Sequence, residues 1–160
     1  MATYPEGSAR LVIMDVADGD DIMESIANLA RCKNVRVVIH KASGSIASVM
    51  LRHGSTTTTH HGPFHIVSFT GSYTYNNPHP FIDLRINLCT SQSQLFGGAV
   101  AGNVIANRVV SLTLFTFKNP ETYPNQEKVN NNDNDNHKNN NNNDNDKTTL
   151  VNEFKEITVN

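Results

Sequence analysis

The sequence predicts an α+β domain with one main helix and a mainly antiparallel sheet of about seven strands. Two patterns support this class: one early stretch repeats apolar residues at helical spacing, and the later apolar runs are short and separated by turn residues. The composition then changes to a segment rich in Asn and Asp. We therefore divide the chain into an N-terminal extension (residues 1–9), a folded domain (10–123) and a low-complexity tail (124–160).

Hydrophobic periodicity predicts the first strand and the helix. Residues 10–16 form a nearly continuous apolar run, which is typical of a strand buried on both faces. Ile22, Ile26 and Leu29 then recur at helical spacing after a group of aspartates that suits a helix start. This pattern predicts a helix over residues 20–32 whose apolar stripe packs on a sheet.

A hairpin is the expected structure of the next segment. Residues 35–40 and 46–51 are apolar runs rich in β-branched residues, and the small residues 42–45 between them suit a turn. The Thr- and His-rich residues after Gly54 are expected to form a loop. The apolar run at residues 64–75 is then predicted to be a strand that is covered on both sides.

Three further strands complete the predicted sheet. Residues 82–88 alternate between apolar and polar, so this strand is expected to expose one face to water. Residues 91–94 are predicted to turn the chain into a strand of small residues at 95–102. Residues 108–117 alternate again and form the last predicted strand of the domain.

The C-terminal quarter of the chain has a different character. Residues 125–147 are dominated by Asn and Asp without periodic apolar residues, and such a segment buries too little apolar surface to fold, so we predict disorder. The last residues, which include Leu150, Phe154 and Ile157, could form a short amphipathic helix, a docking strand or a frayed end. A frayed end is our prediction.

Charge and cysteine content exclude several classes of protein. The formal net charge is -2, with nine Lys and Arg against seven Asp and Glu through residue 120, so neither part of the chain is basic enough to bind nucleic acid by electrostatics alone. Cys32 and Cys89 are too few for a disulfide-stapled secreted domain, and we expect reduced thiols in an intracellular protein. The sequence shows no signal pattern and no apolar run of about 18 residues, which predicts no membrane association.

Four of the seven histidines lie close together in sequence and suggest a metal site: His53, His60, His61 and His65. An antiparallel hairpin could bring the first opposite the second or third. Strand alternation, however, places His60 and His61 on opposite faces, and no Cys, Asp or Glu lies nearby to complete or orient the site. We therefore predict no metal, and we keep a small histidine-rich metal- or ligand-binding protein as the alternative function.

No pattern in the sequence indicates an enzyme or a cofactor. The glycine-rich residues 97–102 carry Ala99 where a dinucleotide-binding loop needs glycine, and no Lys-Ser/Thr pair follows them. We expect these small residues to let another strand or chain approach closely. No nucleophile lies in an activating motif, and helix capping accounts for Asp18, Asp20 and Asp21.

Direct DNA binding has weak support. Reading of the A·T-rich minor groove by a flexible peptide uses Arg-Gly-Arg-Pro, and the sequence contains no Arg-Gly dipeptide. The mildly basic group of Arg31, Lys33, Arg36 and Lys41 is more typical of a solvated helix end and strand face than of a phosphate-binding track. Direct binding through Arg31, Arg36 and Lys41 remains a third hypothesis.

Three segments together resemble a known family, the plant and prokaryote conserved (PPC) domain of plant AT-hook motif nuclear-localised proteins. These segments are residues 21–27 (Asp-Ile-Met-Glu-Ser-Ile-Ala), 62–71 (Gly-Pro-Phe-His-Ile-Val-Ser-Phe-Thr-Gly) and 97–102 (Gly-Gly-Ala-Val-Ala-Gly). The resemblance extends over residues 11–123. It implies an α+β domain that forms homo- or heterotrimers in the nucleus and recruits transcription regulators, with AT-hooks that bind A·T-rich DNA.

The family's signature hexapeptide, Gly-Arg-Phe-Glu-Ile-Leu, is matched at alternate positions. The corresponding residues here are Gly62, Pro63, Phe64, His65, Ile66 and Val67. The first, third and fifth match, and the family's Arg and Glu are absent. The resemblance implies that these six residues contact partners, and that partner choice differs in this chain.

The resemblance also predicts assembly and a missing DNA-binding element. An oligomer interface or close packing is expected at Gly97, Gly98, Val100 and Gly102. Residues 1–9 precede the first predicted strand and contain no basic hook, so the chain resembles a hookless member of the family. We expect it to reach A·T-rich DNA indirectly, by forming trimers with hook-bearing relatives.

Overall fold

The structure, a computed structural model, describes residues 8–76 and 78–119 and the backbone of residues 154–158. These residues form one helix and six strands, which confirms the α+β class with one strand fewer than predicted. The elements are β1 (Ala9–Val16), α1 (Ile22–Lys33), β2 (Val35–His53), β3 (Thr56–Thr74), β4 (Phe81–Cys89), β5 (Leu95–Lys118) and β6 (Phe154–Thr158). No helix in the described part of the chain has the length and apolarity needed to cross a bilayer.

The strands form one antiparallel sheet that partly closes on itself. Its order is β2-β3-β4-β5-β1-β6, and β2 also pairs with β5, so β2, β3, β4 and β5 form a ring. β1 and β6 extend the sheet beyond β5. The core lies between the inner face of the sheet and α1, and it includes Met14, Ile26, Ile39, Phe69 and Leu114.

α1 begins and ends at its capping residues. The Asp21 carboxylate accepts a hydrogen bond from the Met23 N–H at 3.0 Å, and Asn34, with φ 51, closes the C-terminus. The observed helix therefore differs from the predicted residues 20–32 only at its ends. Its apolar stripe is buried in the core, as the periodicity predicts.

The acidic loop before α1 also completes the sheet. The Asp21 carboxylate accepts a second hydrogen bond, from the Val104 N–H at 3.1 Å, and the Asp18 carboxylate accepts from the Arg108 N–H at 2.7 Å. Between these two carboxylate contacts, the loop backbone forms two hydrogen bonds with the backbone of Ala106, each 2.9 Å long. The loop thus pairs the edge of β5 between the stretches that β4 and β1 occupy.

The predicted hairpin over residues 35–51 is wrong, because β2 is one continuous strand. It pairs with β5 along one edge and with β3 along the other. Gly44, which was expected in a turn, has φ 129, and a Cβ there would lie 3.1 Å from the Val109 carbonyl oxygen. Small residues therefore let β5 approach closely, while register shifts bend the strand without reversing it.

β3 starts earlier than predicted and has one buried face. The chain turns at Gly54, with φ 62, so the Thr- and His-rich residues form a strand and the expected loop is wrong. Val67 is an extra residue that shifts the register against β4, and both Phe64 and Phe69 consequently face the core. Because His65 and Val67 are exposed, the prediction of cover on both sides is wrong.

The later strands follow the predicted periodicity but not the predicted breaks. β4 buries Leu84, Ile86 and Leu88 and exposes the polar residues between them, which confirms its single wet face. The two strands predicted at 95–102 and 108–117 are one strand, β5, of 24 residues. Its polar middle section stays extended because β2 and the acidic loop pair with it.

The two ends of the domain also differ from the prediction. β1 buries Val12, Met14 and Val16 but leaves its other face half-exposed, so burial on both faces is wrong. The predicted frayed end is wrong for β6, whose backbone pairs antiparallel with β1 as in the docking-strand alternative. The segment predicted to be disordered, residues 125–147, lies outside the described residues.

Candidate protein-interaction surfaces

The hexapeptide 62–67 lies in the middle of β3, at a break in its pairing with β2. The ladder skips Gly62 and Pro63 because the register shifts between His61 and Phe64. β4 begins to pair only at His65. Pro63 therefore has no ladder partner in either neighbouring strand, which explains how the β3 backbone accommodates a residue without an N–H.

The hexapeptide contains internal and exposed positions. A Cβ on Gly62 would lie 2.6 Å from the Phe64 nitrogen and 2.8 Å from the Ile46 carbonyl oxygen, so no side chain fits there. Phe64 is 9% exposed and its ring meets that of Phe96 edge-on at 4.8 Å, while Ile66 packs against the core. The positions that match the family hexapeptide thus have structural roles. The positions that differ are exposed: Pro63, His65 and Val67.

The exposed positions of the hexapeptide continue onto two neighbouring strands. His65, Cys89 and Leu95 occupy one row across β3, β4 and β5. Leu95 is 71% exposed and Val67, beside the row, is 55% exposed. We call these four residues the β3–β5 patch; it is apolar apart from one imidazole. Sequence reasoning missed Cys89 and Leu95 because only strand pairing brings them beside the hexapeptide.

The small residues of β5 pack mainly against other strands of the same chain. Gly97 lies so close to β4 that a Cβ would overlap its backbone, and a Cβ on Gly102 would lie 2.5 Å from the Met50 Sδ of β2. Val100 is buried in the core, whereas Gly98 has room for a methyl group. These contacts account for the small side chains within one chain. An oligomer interface at these residues stays a prediction.

A second surface lies on the outer face of β1, β5 and β2, opposite the core. It consists of five half-buried apolar side chains, which we call the β1–β5–β2 face: Leu11, Ile13, Val38, Phe115 and Phe117. Val38, Phe115 and Leu11 form one row across the three strands. An apolar sheet face of this kind is typical of a surface that another chain covers. Its signal in the sequence is the apolar run at residues 10–16, which we interpreted as burial within the chain.

Cationic and aromatic groups border the β1–β5–β2 face along β2. The Arg36 guanidinium lies 5.9 Å from the centre of the Phe117 ring. The His40 ring meets the Phe115 ring edge-on, with centroids 5.5 Å apart. The face therefore has a polar rim on one side, as protein interfaces commonly do.

The four clustered histidines separate into two groups. His53 and His60 are close, with ring centroids 5.8 Å apart, and His60 also contacts Phe96 at 5.4 Å. The His60 Nε2 atom is buried without a hydrogen-bond partner. His61 and His65 are exposed elsewhere on β3. Among residues 8–76 and 78–119, no three His, Cys, Asp or Glu side chains converge as metal ligands.

The basic residues considered for DNA binding lie on different elements. Arg31 is on α1, where it donates a hydrogen bond to the Asn28 side chain at 2.8 Å. Arg31 also acts on Tyr73: burial raises the pKa of Tyr73, the charge of Tyr75 raises it further, and the charge of Arg31 lowers it. Arg36 lies instead on the outer face of β2, beside Phe117. Arg31 and Lys33 thus belong to α1, whereas Arg36 and Lys41 are exposed residues of β2.

The sequence is similar to proteins of a known domain family. A sequence profile of the Plants and Prokaryotes Conserved (PCC) domain matches residues 4–118. AT-hook motif nuclear-localized protein 17 of Arabidopsis thaliana is 31% identical over 119 residues, which cover 68% of this chain and 43% of that protein. AT-hook motif nuclear-localized protein 28 of the same plant is 30% identical over 119 residues, covering 68% and 58%. The chain thus spans about half the length of these relatives.

The fold is similar to that of a plant- and prokaryote-conserved (PPC) protein from Pyrococcus horikoshii. The two structures have a TM-score of 0.60 at 16% sequence identity, over 76% of this chain and 87% of the other. The profile match covers most of the chain and includes every described element except β6. This chain therefore belongs to the plants and prokaryotes conserved (PPC) domain family.

Proposed function

We propose that this chain is a non-catalytic nuclear regulatory protein that forms homo- or heterotrimers with other PPC domains and recruits transcription regulators. The observation that carries the proposal is the β1–β5–β2 face, where five apolar side chains lie on the side of the sheet away from the core. Covering such a face with a second chain removes apolar surface from water. The relatives are named nuclear-localized proteins, which supports a nuclear location.

Recruitment is assigned in this proposal to the β3–β5 patch. The patch is separate from the β1–β5–β2 face, so a trimer can form while the patch stays accessible. His65 and Val67 belong to it and Pro63 lies beside it, all three at positions where the family hexapeptide has other residues. The chain therefore selects a different partner from that of relatives with an Arg and a Glu, because an apolar patch does not bind a charged surface in the same way.

DNA contact is supplied in this proposal by hook-bearing subunits. The AT-hook gives its name to the relatives, and residues 1–160 contain no Arg-Gly dipeptide from which a hook could be built. A trimer binds A·T-rich DNA through several weak hooks at once, so replacing one hook-bearing subunit with this chain lowers the avidity steeply. The chain then acts as a negative regulator of hook-bearing assemblies.

Light scattering on the purified chain tests assembly, alone and mixed with a hook-bearing relative. We expect a trimer mass in both samples, and mixed trimers in the second. An Ile13→Glu variant should be monomeric, because a buried carboxylate at the interface is strongly unfavourable. Thr70→Glu is the matched control, since Thr70 is exposed on β3 and lies outside the β1–β5–β2 face. A monomeric wild-type chain in both samples would contradict the proposal.

One observation favours a second candidate function, the binding of a metal ion or small ligand. The His53 and His60 rings are adjacent, and the His60 Nε2 atom is buried without a hydrogen-bond partner. Elemental analysis of the purified protein tests the metal site. Stoichiometric metal that is lost in His60→Ala but retained in His61→Ala would support it, and metal-free protein would exclude it.

A further inference from the structure

The C-terminal strand is attached to the domain in an unusual way. β6 is five residues long and pairs with the edge of β1, from Arg10 opposite Thr158 to Met14 opposite Phe154. Residues 119–153 separate it from the end of β5. β1 pairs along its other edge with β5, its neighbour in the core of the sheet. The described backbone pairing therefore joins β6 to the sheet along one edge only of β1.

The edge that β6 covers is suited to binding an extended segment. Residues 11–14 of β1 are four consecutive apolar residues, Leu-Val-Ile-Met. Without β6, the edge of β1 would present unpaired N–H and C=O groups next to these side chains, and such an edge readily pairs with a strand from another chain. β6 thus occupies a site that any strand of suitable register could fill.

We propose that the β1 edge is an exchangeable docking site, filled by Phe154–Thr158 of the same chain in a monomer and by that segment of a second copy in an assembly. The backbone pairing is the same in both cases. The connection of residues 119–153 can span on the order of 100 Å at most, several times the radius of a domain of this size, so its length permits both. The exchange between copies rests on the assembly proposed above, whereas the docking site does not.

A synthetic fluorescent peptide with the sequence of residues 152–160 tests the docking site on the full-length chain. A Lys155→Pro/Glu156→Pro variant cannot pair its own segment with β1. Of two adjacent residues in an antiparallel strand, one donates its N–H to the neighbouring strand, and proline has no N–H to donate. We expect this variant to bind the peptide at least about tenfold more tightly than the unmodified chain, whose own segment competes as an intramolecular ligand. A Lys147→Pro/Thr148→Pro variant is the control and should behave as the unmodified chain.

Equal peptide affinity for all three proteins, or no binding to the Lys155→Pro/Glu156→Pro variant with unchanged circular dichroism, would overturn the docking site. This measurement works on monomers and trimers alike. A monomeric chain that binds the peptide would therefore contradict the proposed assembly but support the docking site.

Disulfide trapping tests exchange between copies and does not depend on the prolyl variant. In a Cys32→Ser/Cys89→Ser background, one chain carries Arg10→Cys and another carries Thr158→Cys, two positions that are paired in register and lie outside the β1–β5–β2 face. We expect the mixed and oxidised chains to form a covalent heterodimer. Arg10→Cys mixed with Lys155→Cys, three residues out of register, is the control. An absent heterodimer, or equal yields from the two mixtures, would overturn the exchange.

Discussion

The β1–β5–β2 face and the β3–β5 patch lie on one sheet but differ in how their strands pair. β1 and β5 pair without a register shift over Ala9–Val16, so their outward side chains form regular rows. The patch instead lies where β3 changes register against both β2 and β4. Regular pairing produces a broad apolar face, and irregular pairing exposes single residues such as Val67.

This difference indicates how each surface tolerates change. A substitution on the β1–β5–β2 face alters a row of neighbouring side chains, so we expect it to affect the proposed assembly as a whole. A substitution at an exposed position of the patch changes one contact and leaves the core below it intact. If the proposed function is correct, the face maintains the assembly and the patch is free to vary with the partner.

The largest expected effect distinguishes the core side of β3 from the β1–β5–β2 face. Phe69→Ala removes a ring that is 1% exposed, and we expect the free energy of unfolding to fall by about 3–5 kcal/mol. In protein kept monomeric by dilution, Phe115→Ala should cost less than half as much, because Phe115 is only half-buried in a single chain. Urea denaturation measures both. Equal losses would show that the face is as buried as the core.

A glycine at the register break tests the geometry of the patch. Gly62→Ala places a methyl group against the Phe64 nitrogen and the Ile46 carbonyl oxygen, and we expect a loss of about 1–3 kcal/mol. Gly98→Ala is the matched control on β5. A Cβ at Gly98 would lie 3.4 Å from the nearest atom, in the His53 ring, so its stability should be unchanged or slightly higher. A destabilised Gly98→Ala protein with a normal Gly62→Ala protein would contradict this account.

The acidic loop supports the stretch of β5 that connects the two surfaces. Asp21→Ala removes the acceptor of the Met23 and Val104 N–H groups, and we expect a loss of about 1 kcal/mol in thermal or urea denaturation. Asp20→Ala is the control, because it keeps the carbonyl oxygen that accepts from the Ala106 N–H. Equal effects of the two substitutions would argue against a special role for Asp21.

The smallest expected effect on stability comes from a change in the hexapeptide 62–67 that should alter which proteins bind. The Pro63→Arg/His65→Glu variant restores the family's charged residues at two exposed positions. We expect unfolding within about 0.5 kcal/mol of the parent and the same oligomeric mass, but a different set of co-purifying proteins from nuclear extract. Thr70→Arg, an exposed change elsewhere on β3, serves as the control. Identical partner profiles for the parent and the double variant would count against recruitment by the patch.

Local patterns in the sequence were sufficient for several elements. The helical spacing of Ile22, Ile26 and Leu29 predicted α1, and the group of aspartates before it predicted its approximate start. Strict alternation predicted the wet face of β4. These features depend on residues within a few positions of one another, so a short stretch of sequence contains the physical information. The three family-like segments likewise sufficed to identify the PPC domain.

Strand continuity and the two surfaces were decided only by the tertiary structure. Residues 42–45 and the Thr- and His-rich stretch have turn-like compositions, yet they are extended because distant strands satisfy their backbone hydrogen bonds. The apolar run of β1 predicts burial but does not say whether the chain itself or another copy covers the second face. Leu95 lies beside the hexapeptide 62–67 only because β4 separates β3 from β5. Sequence by itself determined local periodicity and family, whereas pairing between residues far apart in the chain determined which surfaces this protein exposes.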